Sequence, residues 1–135
     1  MEHEYRIELS KRRLEIAHES MNSARILLDA DDYKAVANRL YYAVFSAMRA
    51  VLALDGFDSK KHSGIIARFR QSYIKTGIFS TEMSKIIDDL EVIREDSDYD
   101  DFYIISKDDV KIQSQKAEHF ISEVEKYLEK HYNQS

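Results

Sequence analysis

Three groups of side chains in this sequence have types and spacings suited to holding an anion. Arg39, Tyr42, Ser46 and Arg49 recur at intervals of three, four and three residues. Such intervals align them along one strip of a helix. A guanidinium grips phosphate or carboxylate through parallel N–H bonds, and a phenol adds one more donor. The strip is flanked by Ala35, Ala43, Ala47 and Ala50 in place of long charged residues. A solvated face normally carries lysine and glutamate, so another helix, a second subunit or a ligand is expected against it. The plain alternative has Arg39 paired with an acidic side chain of a neighbouring helix and the alanines packing a dimer partner.

Arg94, Asp98 and Tyr99 form the second group. Residues four apart share a helix face, so Arg94 can hold a phosphate while Asp98 orients it or acts as a base. An intrahelical ion pair closing the helix, with Tyr99 anchoring the following loop, fits the same spacing. Lys60-Lys61-His62-Ser63 is the third. Two ammoniums, an imidazole and the free N–H groups of a helix start suit an anion. Ordinary loop solvation with Ser59 or Ser63 as cap is the simpler and favoured reading of this stretch.

Metal chemistry finds little support. Glu15 and His18 make one Glu-x-x-His, whereas carboxylate-bridged di-metal bundles need a second such pair and further glutamates. Asp96-x-Asp98-x-Asp100 resembles the start of a calcium loop, but Asp101 stands where glycine is required and Lys107 where the closing glutamate belongs. There is no cysteine, which removes disulfides and thiolate nucleophiles. His3, His18, His119 and His131 read as scattered surface residues. No phosphate-cradling glycine loop or hydrolase elbow occurs.

The elements that position these groups follow from periodicity. With 135 residues, 44% hydrophobic, no proline and three glycines, the chain reads as one all-α domain spanning 1–135. The first helix runs from about Tyr5 to Leu28, with a narrow seam of Leu14, Ala17, Met21, Ala24 and Leu28. Asp29-Ala30-Asp31-Asp32 ends it and leaves carboxylates at the start of the next helix, where the dipole favours them. The second helix, Tyr33 to Leu54, buries Leu40, Tyr41, Val44, Phe45, Met48, Val51 and Leu52 and stops at Gly56. The third carries Ile65, Ile66, Phe69 and Tyr73 and ends at Gly77. The fourth, capped by Ser80 or Thr81, buries Met83, Ile86, Ile87, Leu90 and Ile93. Phe102-Tyr103-Ile104-Ile105 is expected to tuck onto the bundle. The last helix starts at Ser106 or Asp108 and frays by Asn133. The expectation is an up-and-down bundle of five helices with the second and fourth at its centre.

The formal net charge of −5 disfavours indiscriminate binding to nucleic acid or an anionic membrane. A small local basic site remains compatible with it. The polar, acidic N-terminus has no signal-peptide pattern, and no apolar run approaches a bilayer span. A cytoplasmic protein without membrane attachment is expected.

As a set, Ala37-Asn38-Arg39-Leu40-Tyr41-Tyr42-Ala43-Val44-Phe45, Lys61-His62-Ser63-Gly64, Arg94 with Asp98-Tyr99, and Ala117-x-x-Phe120-Ile121 resemble the HEPN domain family, in its small stand-alone prokaryotic branch. The resemblance covers nearly the whole chain. It implies a helical bundle that usually dimerises. In many members the paired subunits form a metal-independent ribonuclease site, and many are encoded beside a small nucleotidyltransferase as toxin and antitoxin. The family's nuclease motif is an arginine, four to six residues, then a histidine. Arg94 matches the arginine. No histidine follows at that distance; Asp98-Tyr99 stands there instead.

Three functions follow as expectations. One is a homodimeric module that binds nucleotide or RNA phosphate through Arg39, Tyr42, Lys61, His62 and Arg94 and partners a nucleotidyltransferase. Another is a metal-independent endoribonuclease toxin using Arg94 with Asp98, Tyr99 or His62. The third is a purely structural helical dimer. No cofactor or metal is implied by any of them.

Overall fold

The computed structural model describes residues 2–134. Among these, five helices follow one another: α1 His3–Asp29, α2 Tyr33–Leu54, α3 His62–Phe69, α4 Thr81–Tyr99 and α5 Lys107–Asn133. A π-helical turn, Arg70–Ile74, extends α3 without a break. Among the described residues there is no strand, and no helix is long and apolar enough to cross a membrane. The expected helix order and the all-α bundle are observed.

The acidic turn after α1 does two jobs. Asp31 adopts a left-handed φ of 60°, and the N–H groups of Asp31 and Asp32 return to the carbonyls of Leu28 and Leu27 at 3.1 and 3.0 Å. That arrangement satisfies carbonyls that a helix end leaves open. One residue on, the Asp32 carboxylate accepts the Ala35 N–H at 3.3 Å and caps α2. Gly56 repeats the stop at the end of α2 with φ 71°, its N–H bonding to the Ala53 carbonyl and that of Phe57 to Leu52. Ser80 occupies the N-cap position of α4 without a side-chain cap bond, whereas the Ser106 hydroxyl does accept the Asp109 N–H and caps α5.

The short α1–α2 turn makes these two helices antiparallel neighbours, and α1 is what lies along the alanine side of α2. The seam that α1 buries includes Ser10, Arg13 and Ser20 alongside Ala17, Met21 and Ala24. The polar members are satisfied by the backbone of α2. Ser10 donates to the Ala50 carbonyl at 2.7 Å, Arg13 to that of Arg49 at 3.2 Å and Ser20 to that of Arg39 at 2.8 Å. Small residues on both helices permit this close approach, and the bonds remove the cost of burying the hydroxyls.

The core is continuous, with Leu40, Met48, Phe69, Met83, Leu90 and Phe120 fully buried. Its hub is α2 alone, which packs against α1, α3, α4 and α5. The expectation of a shared centre is corrected for α4, which meets α2, α5 and the π turn but never α1. Across the α1–α5 surface, His18 Nε2 lies 2.6 Å from Glu125 and Arg25 lies 3.2 Å from Glu118.

The α4–α5 connection also departs from expectation. Ile105 is buried and Tyr103 packs against the core, but Phe102 is 92% exposed and Ile104 89%. The Asp100 carboxylate accepts the Phe102 N–H at 3.0 Å, and the Asp100 carbonyl accepts that of Tyr103 at 3.1 Å. This turn delivers the chain to Ile105 with alternate side chains facing the core and the solvent, so only half of the apolar run can be buried.

Candidate anion site

Adjacent tyrosines on α2 face different surroundings. Tyr41 is buried, while Tyr42 lies at the surface edge, their rings meeting edge to face at 5.5 Å. Arg94, from α4, crosses both. Its guanidinium carbon is 4.7 Å from the Tyr41 ring centroid and 5.5 Å from that of Tyr42. Arg39, three residues before Tyr42 on α2, places its own guanidinium carbon 5.3 Å from the Tyr42 ring. Two cations from separate helices therefore converge on one phenol. Each contact is favourable because the ring face carries the negative part of the quadrupole.

Neither arginine is committed to a tight carboxylate pair. Arg39 donates to the side-chain oxygen of its neighbour Asn38 at 2.7 Å, so the expected partner on a neighbouring helix is absent among the described residues. Arg94 Nε stands 3.7 Å from Asp98 Oδ2, too far for a hydrogen bond, and that nitrogen is buried without a hydrogen-bond partner. An attractive but loose pair leaves donor capacity on Arg94.

His62, the first residue of α3, joins from a third element. Its ring stacks on Phe45 with centroids 4.1 Å apart, and Nδ1 lies 3.2 Å from the Tyr41 hydroxyl. Burial lowers the His62 pKa, and the positive charges of Arg94 and Arg49 lower it further. The imidazole is thus neutral at pH 7. Burial pushes the Tyr41 phenol up to about 12, with Glu91 adding to the rise and Arg94 opposing it. Tyr41 accordingly keeps its proton beside His62. Glu91, one turn ahead of Arg94, has its carboxyl raised by burial, an effect that Arg70 and Arg94 oppose while Glu95 and Asp88 reinforce it.

The loop leading to His62 is tied down by an ionic node. Asp58 Oδ2 lies 3.1 Å from Arg13 and 3.2 Å from Arg49, and Oδ1 accepts the Ser59 N–H at 2.9 Å. Partial burial raises the Asp58 pKa, but the Ser59 amide and the two arginines outweigh it and hold the carboxyl below its usual range. Arg49, grouped in the sequence with Arg39 and Tyr42, is therefore engaged in holding this loop. Beside it lies an open hollow of ≈ 570 Å³ lined by Phe45, Arg49, Asp58, Ser59, Lys60 and His62. A second depression of ≈ 410 Å³, between α1 and α2, is bordered by Arg39, Tyr42 and Ser46.

The structure thus brings Arg39, Tyr42, His62 and Arg94 together, with Asp98 at the edge. Tyr99 is 76% exposed at the end of α4 and forms no ring contact with the group. Lys61 is exposed at the N-cap of α3, and its neighbour Lys60 borders the hollow instead. Tyr41 and Phe45 read from periodicity as core residues and do serve there, yet they also seat His62. The available signal was the Tyr41 hydroxyl, since a buried phenol needs a partner. Among the described residues, no three His, Asp or Glu side chains cluster as a metal site.

Comparison with known proteins agrees with this architecture. The family model described as HEPN domain matches residues 10–129. A Thermotoga maritima protein named "UPF0332 protein" is 34% identical over 113 residues, covering 84% of this chain and 86% of its own. A Methanocaldococcus jannaschii protein named "Putative toxin MJ0142" is 30% identical over 128 residues, covering 95% and 86%. A second protein named "UPF0332 protein", from Archaeoglobus fulgidus, is 29% identical and covers 82% and 93%.

Proposed function

The chain belongs to the HEPN domain family, and from that premise we propose that it is a toxin-type HEPN protein that binds RNA or nucleotide phosphate at Arg94, Arg39, Tyr42 and His62. The observation that carries this reading is the convergence of Arg39 and Arg94 on the Tyr42 ring, 5.3 and 5.5 Å away. Two guanidinium groups drawn to one ring supply the positive charge and the N–H donors that a phosphate requires. The toxin designation of the Methanocaldococcus relative supports the biological setting. A homodimer and a nucleotidyltransferase partner belong to the same reading. Calorimetric titration with nucleotides and short RNAs tests it. Binding should weaken about tenfold or more in Arg94→Ala, as expected for losing a charge-assisted contact. No heat with any of these ligands would remove the proposal.

A second reading, metal-independent RNA cleavage, is favoured by His62. The chain lacks a histidine at the motif distance after Arg94, but His62 arrives from α3 against the same Tyr41 that Arg94 covers. A neutral imidazole can take the 2′-hydroxyl proton as that oxygen bonds to phosphorus, while a guanidinium stabilises the phosphorane charge. The 5′-oxygen, whose bond to phosphorus breaks, takes its proton from solvent. Asp98 is less suited as the base, being an exposed residue at the edge of the group. RNA cleavage that persists in chelator and disappears in His62→Ala would support this reading. Intact RNA after prolonged incubation with wild-type protein would end it.

A further inference from the structure

We propose that the α4–α5 turn is a docking surface for a basic, apolar-bearing segment of another protein. The inference stands independently of the reading given to Arg94. Tyr99, Phe102 and Ile104 lie within six residues of one another and are 76%, 92% and 89% exposed. Single exposed apolar residues are commonplace, but three large ones at the end of α4 and in the connection that follows are not explained by chance exposure. Nor is the turn slack. The Asp100 carboxylate holds the Phe102 N–H at 3.0 Å, and Ile105 plugs the following position into the core. Phe102 and Ile104 are thus presented outward by a backbone fixed on both sides, the pre-organised anchor arrangement that protein interfaces use.

Charge selects the occupant. Five carboxylates fall between Glu95 and Asp101, and no Lys, Arg or His occurs between Arg94 and Lys107. Such a field disfavours an anionic lipid surface and attracts a cationic partner. Apolar anchors interleaved along the chain with carboxylates suit a segment that combines Lys or Arg with Leu- or Phe-like side chains. The anchors supply buried area, and the carboxylates supply steering and choice of partner.

The test uses the intact chain and a fluorescein-labelled synthetic peptide of Lys and Leu in helical repeat, followed by anisotropy. The peptide should bind wild-type protein. Affinity should fall about tenfold or more in Phe102→Ser/Ile104→Ser, the loss expected when central anchors are truncated. It should also fall in Glu95→Gln/Asp101→Asn, while a peptide of Lys and Ser should be indifferent to the Phe102/Ile104 pair. All four side chains are exposed, so circular dichroism and Tm should not move. Absent binding, or binding unaffected by the Phe102/Ile104 pair, overturns the proposal. So does a wild-type dimer that dissociates in that variant on sedimentation, which would make a second copy the occupant. Binding of wild type to phosphatidylcholine vesicles, lost in the same variant, would assign the surface to a membrane and overturn it equally.

Discussion

The guanidinium of Arg94 lies over the ring of Tyr41 at 4.7 Å. Through that ring α4 is joined to α2, and through the Tyr41 hydroxyl, 3.2 Å from His62, to the start of α3. Three helices thereby meet at one phenol, and the chemistry available at the site depends on that meeting.

Tyr42 holds both arginines by its face, so the ring and not the hydroxyl should matter for stability. Tyr42→Leu is expected to cost about 1–2 kcal/mol, two partly exposed cation–π contacts at ordinary strength. Tyr42→Phe should remain within about 0.5 kcal/mol of wild type. Urea denaturation of the three proteins decides the matter. Equal losses in Leu and Phe variants would show that the hydroxyl carries the effect.

His62 should make stability depend on pH in one direction. Its folded pKa lies below the usual value of 6.5, chiefly through burial. The folded state therefore favours the neutral ring. The associated stability is fully present above the unfolded pKa and is lost as pH falls through 6.5 toward the folded pKa. Thermal melts from pH 7.5 to 5 should show a steeper decline for wild type than for His62→Asn. Parallel declines would place the pH sensitivity elsewhere.

Asp58 neutralises Arg13 and Arg49 together. Asp58→Asn leaves the buried Arg13 guanidinium facing Arg49 without a carboxylate between them. A loss of about 1–3 kcal/mol is expected, less than for a fully buried pair because Asp58 is partly solvated. The loop carrying His62 should loosen at the same time, which amide hydrogen exchange across residues 57–63 would detect. Unchanged protection would mean that the Ser59 amide and the helix start fix the loop unaided.

Gly56 and Gly77 both adopt positive φ, 71° and 82°, yet they should respond differently to alanine. A Cβ at Gly56 would come 2.8 Å from the Arg6 guanidinium, whereas one at Gly77 meets nothing within 4 Å. Gly77→Ala is expected to cost about 1 kcal/mol for backbone strain. Gly56→Ala should cost more, because Arg6 must also be displaced. Similar melting temperatures for the two variants would show that Arg6 yields freely.

Helix boundaries and the buried faces of α2, α4 and α5 were legible because apolar residues recur at helical spacing and the stops are written in Asp31, Asp32 and Gly56. The packing of α1 was harder to read. Ser10, Arg13 and Ser20 look like solvent-facing residues until the carbonyls that receive them are placed opposite. The same limit governs the site. Arg39 and Tyr42 share a local strip that spacing reveals, but Arg94 and His62 arrive through tertiary packing, which periodicity does not encode. Phe102 and Ile104 misled in the other direction, since hydrophobic character is weak evidence of burial within a tight connection.

Ser20 grips the main chain of Arg39, and Arg13 grips that of Arg49. Neither bond consults the side chain it passes beneath. The side chain at position 39 can therefore be rewritten, arginine for lysine or glutamine, while the two long helices below it stay clasped, whereas Arg49 is also kept by the Asp58 node. Recognition and architecture are separable at position 39, where the specificity of the outer surface is free to drift without loosening the α1–α2 clasp.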